Sequence, residues 1–172
     1  MILSKVRDPR LITVRRGGRL TDTDHQLLAR WAADCAEHVL TLFEQDRPDD
    51  ARPREAVAAT RAWAAGRLPM MQARAVGGHA MGAARDLTGA ARFAAYAAGQ
   101  AACVGHVAEH ELGAAAYAIK SAVAAASHGE GESVRLAENT WQRAQLPESV
   151  RELVLEDQRR RNDICWSVFD VT

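Results

Sequence analysis

From Ala73 to Ala126 the chain is dominated by alanine and glycine, and this stretch limits the fold more than any other feature. Alanine has the highest helix propensity and the smallest apolar side chain, so such a run forms helices whose axes can approach closely. Aromatic residues are only 5% of the 172 residues, which leaves alanine and leucine to fill the interior. The implied architecture is all-α: a compact bundle of six or seven helices with an extended N-terminal arm. A chain of this length buries a real core and reads as a single helical domain, 1–172, with residues 1–19 as a basic arm and 20–166 as the helical core.

Local signals divide the bundle. Leu11 to Val14 is short and β-prone and ends in Arg15, Arg16, Gly17 and Gly18, which reads as a strand or a docked arm followed by a turn. Thr21 is placed to cap a helix by accepting from the backbone of Asp24, and Asp22 and Asp24 suit the positive helix end. The apolar spacing of Leu28, Trp31, Ala32, Cys35, Val39 and Leu42 carries that helix to about Phe43. Pro53 opens a second helix that stops near Gly66, and Pro69 opens a third reaching Thr88 and Gly89. From Ala90 onward one long helix is expected, or two joined somewhere between Gly105 and Gly113. A breaker at His128–Glu132 precedes a helix from Ser133 to Ala144, and Pro147 opens the last. On that last helix Val150, Leu153 and Val154 form the buried stripe, with Glu156/Arg160 and Asp157/Arg161 as acid-first pairs on the outside. The likeness of GHAMGAAR at Gly78 to GHVAEHELGAA at Gly105 hints at duplication, but no solenoid period is visible.

Charge and cysteine usage exclude several classes. Lysine plus arginine equals aspartate plus glutamate at 22 each, so no net field draws the chain to nucleic acid or to an anionic membrane. The one local basic segment, Lys5, Arg7, Arg10, Arg15, Arg16 and Arg19 opposed only by Asp8, reads as a solvated arm. Cys35, Cys103 and Cys165 form no CxxC pair, which fits a reduced cytosol rather than a disulfide framework or zinc ribbon. MILSKVRDPR lacks a signal-peptide apolar region, and Arg85, Arg92, His106, Glu109 and Lys120 interrupt the alanine tract, so a soluble cytoplasmic protein is expected.

The string HVAEH at His106–His110 fits H-x-x-E-H, in which two histidines bind zinc and a glutamate serves as base. On a continuous helix Cys103, His106 and His110 would share one face as three metal ligands. The plainer reading is a packed, hydrogen-bonded histidine face with no metal and no cofactor. Arg74, Arg85 and Arg92 would align along one side of a continuous helix, as a solvated or ion-paired stripe with Asp86 as a candidate partner. Gly78 and Gly82 are spaced for close helix approach rather than for phosphate binding. No nucleophile elbow occurs, so no catalytic residue is assigned. Trp31, Trp63, Trp141 and Trp166 each read as core anchors. The sharpest acidic cluster is the loop bearing Asp46, Asp49 and Asp50, which could meet a basic partner.

Four stretches together resemble the Imm-5-like family of putative bacterial immunity proteins: LTDTDHQLLARWAADCAEHVL from Leu20, RPREAVAATRAW from Arg52, LGAAAYAIKSA from Leu112 and WQRAQLPESVRELVLEDQRRR from Trp141. The likeness spans about Leu11 to Trp166, with the first and last stretches the specific ones. It implies an all-α protein from a setting of interbacterial competition, which binds and neutralises a cognate toxin in the cytoplasm without catalysis. It transfers no toxin-contact residue to a position here; Asp46, Asp49 and Asp50 are the partner-binding candidates. The competing class is a metal-binding helical protein or zinc-dependent hydrolase built on the HVAEH segment. A homodimer through an alanine face is compatible with either.

Overall fold

The computed structural model describes Leu3, Ser4 and residues 6–171; Lys5 of the basic segment lies outside the described residues. Among these residues the chain is all-helical: α1 (Asp22–His38), the single-turn α2 (Thr41–Glu44), α3 (Arg52–Ala64), α4 (Met70–Ala83), α5 (Gly89–Cys103), α6 (His110–Ala125), α7 (Gly131–Ala144) and α8 (Glu148–Arg161).

The organising element is α5. Ala91, Ala94, Ala95, Ala97, Ala98, Gly99, Ala101, Ala102 and Cys103 are all buried, so little of this helix is left as a solvent face. It packs against α1, α2, α3, α4 and α6. Only small side chains allow so many neighbours to reach one helix at interior packing density. α4 and α5 approach closely at Gly77 and Gly99, where a Cβ on Gly77 would lie 2.7 Å from the Gly99 carbonyl oxygen. Gly78, by contrast, faces open space, and the nearest atom to a Cβ on Gly82 is 4.0 Å away, so the close-packed pair is not the one its spacing suggested.

Helix starts follow the local signals. The Thr21 hydroxyl accepts from the Asp24 amide at 3.0 Å. Pro53 lies in the first turn of α3, while Pro69 and Pro147 occupy the N-cap positions of α4 and α8. Helix ends differ from expectation. The first helix stops at His38, and the chain turns so that Val39, Leu40 and Phe43 are all interior. α4 stops at Ala83 because Arg92 draws the following turn back, donating from Nη1 to the carbonyls of Ala84 and Leu87 at 3.2 and 3.1 Å.

The alanine tract breaks at residues 104–109, overlapping the first half of the expected window and giving the second of the two readings, two joined helices. Side chains from three separate segments satisfy the carbonyls freed there. His25 Nε2 donates to Val104 at 2.7 Å, Arg16 to His106 at 3.3 Å and Arg161 to Glu109 at 2.9 Å. Gly105 lies under the Trp63 indole, with 2.7 Å from a would-be Cβ to the ring. Gly78 is within α4 and Gly105 is in this break, so the two similar strings occupy unlike places.

The N-terminal segment is docked rather than an extended, solvated arm. It forms 3-10 turns at Pro9–Leu11 and Val14–Arg16 and a bridge from Thr13 to Leu20, with Leu11 and Leu20 buried. Three of its cations meet acids: Arg7 pairs with distant Glu109, Arg10 with nearby Asp8 and distant Glu156, and Arg15 with nearby Asp22. At the other end, Trp166 and Ser167 both adopt left-handed backbone, at φ 59° and 56°. For residues other than glycine this conformation costs on the order of 1 kcal/mol or more each.

Candidate functional site

The HVAEH segment spans the α5–α6 break, and this removes the helical face on which three ligands were expected. Cys103 ends α5, His106 lies in the turn and His110 begins α6. The three do line one open depression of about 500 Å³ with Arg74, Met71 and Met81. Two of the polar groups, Glu109 and His110, are tied into internal contacts, while His106 Nδ1 is buried without a hydrogen-bond partner among the described residues. Glu109, 2% exposed, is held by both terminal and inner guanidinium nitrogens of Arg7 at 2.5 and 2.8 Å, so the residue cast as general base is an arginine partner. His110 Nδ1 donates to Gln100 Oε1 at 2.7 Å.

Electrostatics agree with that geometry. Burial pulls the His110 imidazole down to about 4, helped by neighbouring His106. Burial likewise lowers His106 and His25, and Arg74 pushes His106 further the same way. The Cys103 thiol is pushed up by burial, so it is held protonated rather than activated. Among the described residues no group of three or more His, Cys, Asp or Glu side chains converges to hold a metal ion. The residues present do not fit a zincin centre.

The densest ionic cluster is one that reads as a surface pair in the sequence. Asp157 and Arg161 on α8 are both interior, and the guanidinium also meets Glu111 of α6 at 3.0 Å. Glu111 is fully buried, and desolvation drives its carboxyl well above the usual carboxylate range against the pull of Arg161. Spacing alone could not distinguish this from an exposed pair, because the deciding partner comes from another helix. Glu156 turns outward to Arg10 instead, while Arg160 binds Asp157 at 2.5 Å.

A second polar chain links α1, α6 and α7. His38 Nδ1 donates to Glu138 at 2.8 Å, the same carboxylate accepts from Gln142 at 2.9 Å, and Trp31 donates to the Gln142 carbonyl at 2.8 Å. The His38 ring stacks on Trp141 at 3.6 Å. Cys35 is wholly buried, and its thiol is driven well above the usual range by that burial and by nearby Glu138. All three cysteines are free and interior.

The acidic loop between α2 and α3 presents Asp46 and Asp49 to solvent, whereas Asp50 is half-buried. Asp50 is bound by Arg52 at 2.5 and 2.8 Å, and that guanidinium lowers its carboxyl. Arg47 and the Glu44–Arg54 pair, at 2.7 Å, dilute the negative field. Arg74, Arg85 and Arg92 form no stripe: they lie on α4, on the turn after it and on α5. Of the tryptophans, Trp31 is core, Trp63 and Trp141 are half-buried, and Trp166 is 44% exposed. That last exposure could be suspected only from its position beyond the final helical stripe.

No helix among the described residues is long and apolar enough to cross a membrane. No curated protein and no solved structure gives a match to this sequence. The model of the Imm-5 like putative immunity protein family matches residues 18–149, and the chain belongs to that family.

Proposed function

We propose that this protein binds a cognate toxin in the cytoplasm and neutralises it by occupying it, without turnover. Family membership across residues 18–149 carries the reading. The physical character of the molecule supports it. Two of the groups that resembled a catalytic set are spent on internal contacts, Glu109 on Arg7 and His110 on Gln100. A rigid bundle with exposed charged and aromatic side chains suits tight association, which needs preorganised contacts rather than a reactive cleft.

Within this reading Asp46 and Asp49 on the α2–α3 loop form a contact surface, with Asp50 beside them, steering a basic toxin face. The test is co-expression with a candidate toxin domain drawn from the genes that flank this one. The wild-type chain is expected to restore growth, and a soluble, folded chain that gives no protection would end the proposal. Replacing Asp46, Asp49 and Asp50 together by lysine is expected to weaken protection with an unchanged helical spectrum. Full protection by that variant would reject the loop as a contact while leaving toxin binding intact.

A further inference from the structure

Where α5, α6 and the turn after α8 come together, the chain builds an aromatic platform. Tyr96 stacks on Tyr117 with ring centroids 5.1 Å apart, and Phe93 and Trp166 flank Tyr117 at 6.2 and 5.0 Å. Phe93, Tyr96 and Tyr117 are half-buried, while Trp166 and neighbouring Ile164 are 44% and 39% exposed. Large apolar side chains held at the surface in one contiguous group mark an interaction site more often than scattered ones do. Aromatic residues flanked by arginine are also the composition that dominates binding energy at interfaces.

Two cations complete the surface. Lys120 Nζ lies over the rings of both Trp166, at 4.1 Å, and Phe93, at 4.8 Å. Arg92 lies over Tyr96 at 5.2 Å and donates to its hydroxyl at 3.2 Å. Among the described residues neither cation has a carboxylate partner; Arg92 is anchored by donating to the carbonyls of Ala84, Arg85 and Leu87, which leave its charge uncancelled. Burial lowers Lys120, and no nearby acid offsets that. The backbone contributes as well. Trp166 and Ser167 sit consecutively in the left-handed region, a conformation maintained only when the surroundings enforce it, and it holds the indole out over Lys120 rather than in the core.

We infer that the platform of Phe93, Tyr96, Tyr117 and Trp166, with Lys120 and Arg92, is a toxin-docking surface that receives a carboxylate-bearing segment of the toxin protein. This rests on the toxin-binding reading and adds an anchoring contact to the steering loop between α2 and α3. Rings supply the desolvated anchor area, and the two unneutralised cations select for acid. A nucleic-acid strand is disfavoured because two cations cannot track a phosphate backbone, and the overall charge is zero.

The experiment uses the full chain and the toxin domain that it protects against in the co-expression test, inactivated by mutation, in calorimetric titration. Lys120→Glu and Trp166→Ser are each expected to weaken binding roughly tenfold or more, with melting temperatures near that of the wild type. Lys120→Arg should retain most of the affinity, and hydrogen exchange of the complex should show protection at residues 92–96, 117–120 and 163–167. Wild-type affinity in both variants, with protection elsewhere, would overturn the platform while leaving toxin binding standing. Absence of any binding would overturn both. Concentration-dependent dimerisation that protects the same residues, or binding of single-stranded DNA abolished by Lys120→Glu, would assign the platform to a different occupant and overturn the inference.

Discussion

Gly77 and Gly99 meet across the α4–α5 contact with no room for a methyl group on either. A Cβ at Gly77 would sit 2.7 Å from the Gly99 carbonyl, and one at Gly99 would sit 2.8 Å from the Gly77 carbonyl. The obstacle is backbone on both sides, which cannot rotate away.

Gly99→Ala and Gly77→Ala are therefore each expected to destabilise by about 1–3 kcal/mol, as overpacking does, despite alanine's better helix propensity. Gly78→Ala, one residue away and facing open space, should be neutral or stabilise by up to about 1 kcal/mol. Urea midpoints of the three variants separate the two outcomes. Equal stability of Gly99→Ala and wild type would refute the contact.

Arg161 bonds the interior carboxyls of Asp157 and Glu111, the second held well above the usual range by burial, and donates to the Glu109 carbonyl. Arg161→Met should cost about 3–5 kcal/mol, since it strands Asp157 and Glu111 away from water. Adding Asp157→Leu and Glu111→Leu should recover much of that loss, because an apolar cluster has no charge left to desolvate. A triple variant no more stable than the single one would show that the network is needed for the fold itself.

His110 supplies a pH dependence whose sign can be worked out. Its folded-state value near 4 lies below the ordinary imidazole value of 6.5, so the unfolded chain binds the proton more readily. Stability is therefore fully retained above about pH 6.5 and lost as pH falls toward 4, by about 3 kcal/mol in total from this group. His110→Gln should flatten the stability profile in that window. Denaturant titrations at pH 7, 5.5 and 4.5 check this, and parallel slopes in variant and wild type would contradict it.

The Thr21 hydroxyl caps α1 through the Asp24 amide. Thr21→Ala should lower stability by about 1 kcal/mol, whereas Thr21→Ser should change it little. Thermal unfolding of the pair is sufficient to decide.

These sites differ in how far the sequence reveals them. Thr21, Pro53, Pro69 and Pro147 announce helix starts because capping and proline chemistry act within a few residues. The α5–α6 break is marked only loosely, by Gly105 and Gly113, which bracket a junction without deciding whether the helix runs through. It is fixed by His25, Arg161, Arg16 and Trp63, all remote in sequence, which bond its carbonyls or cover Gly105. The Asp157–Arg161 spacing is the same on an exposed face and a buried one, and only Glu111 decides between them. Cys103, His106 and His110 looked like one ligand face because the pattern presumes the continuous helix that those distant contacts interrupt. The aromatic platform was equally hidden, since Phe93, Tyr117 and Trp166 become neighbours only through tertiary packing.

α5 is enclosed by five other helices and keeps almost no polar side. Such a helix has nothing to gain from forming alone, because its alanines acquire their value only when neighbours from both halves of the chain close around it. Its amides should exchange with solvent only when the whole molecule opens, and neither half of the chain, produced separately, should hold a native-like structure. The central rod thus makes the chain all-or-none: a fragment would be not a weaker copy of the protein but an unfolded one.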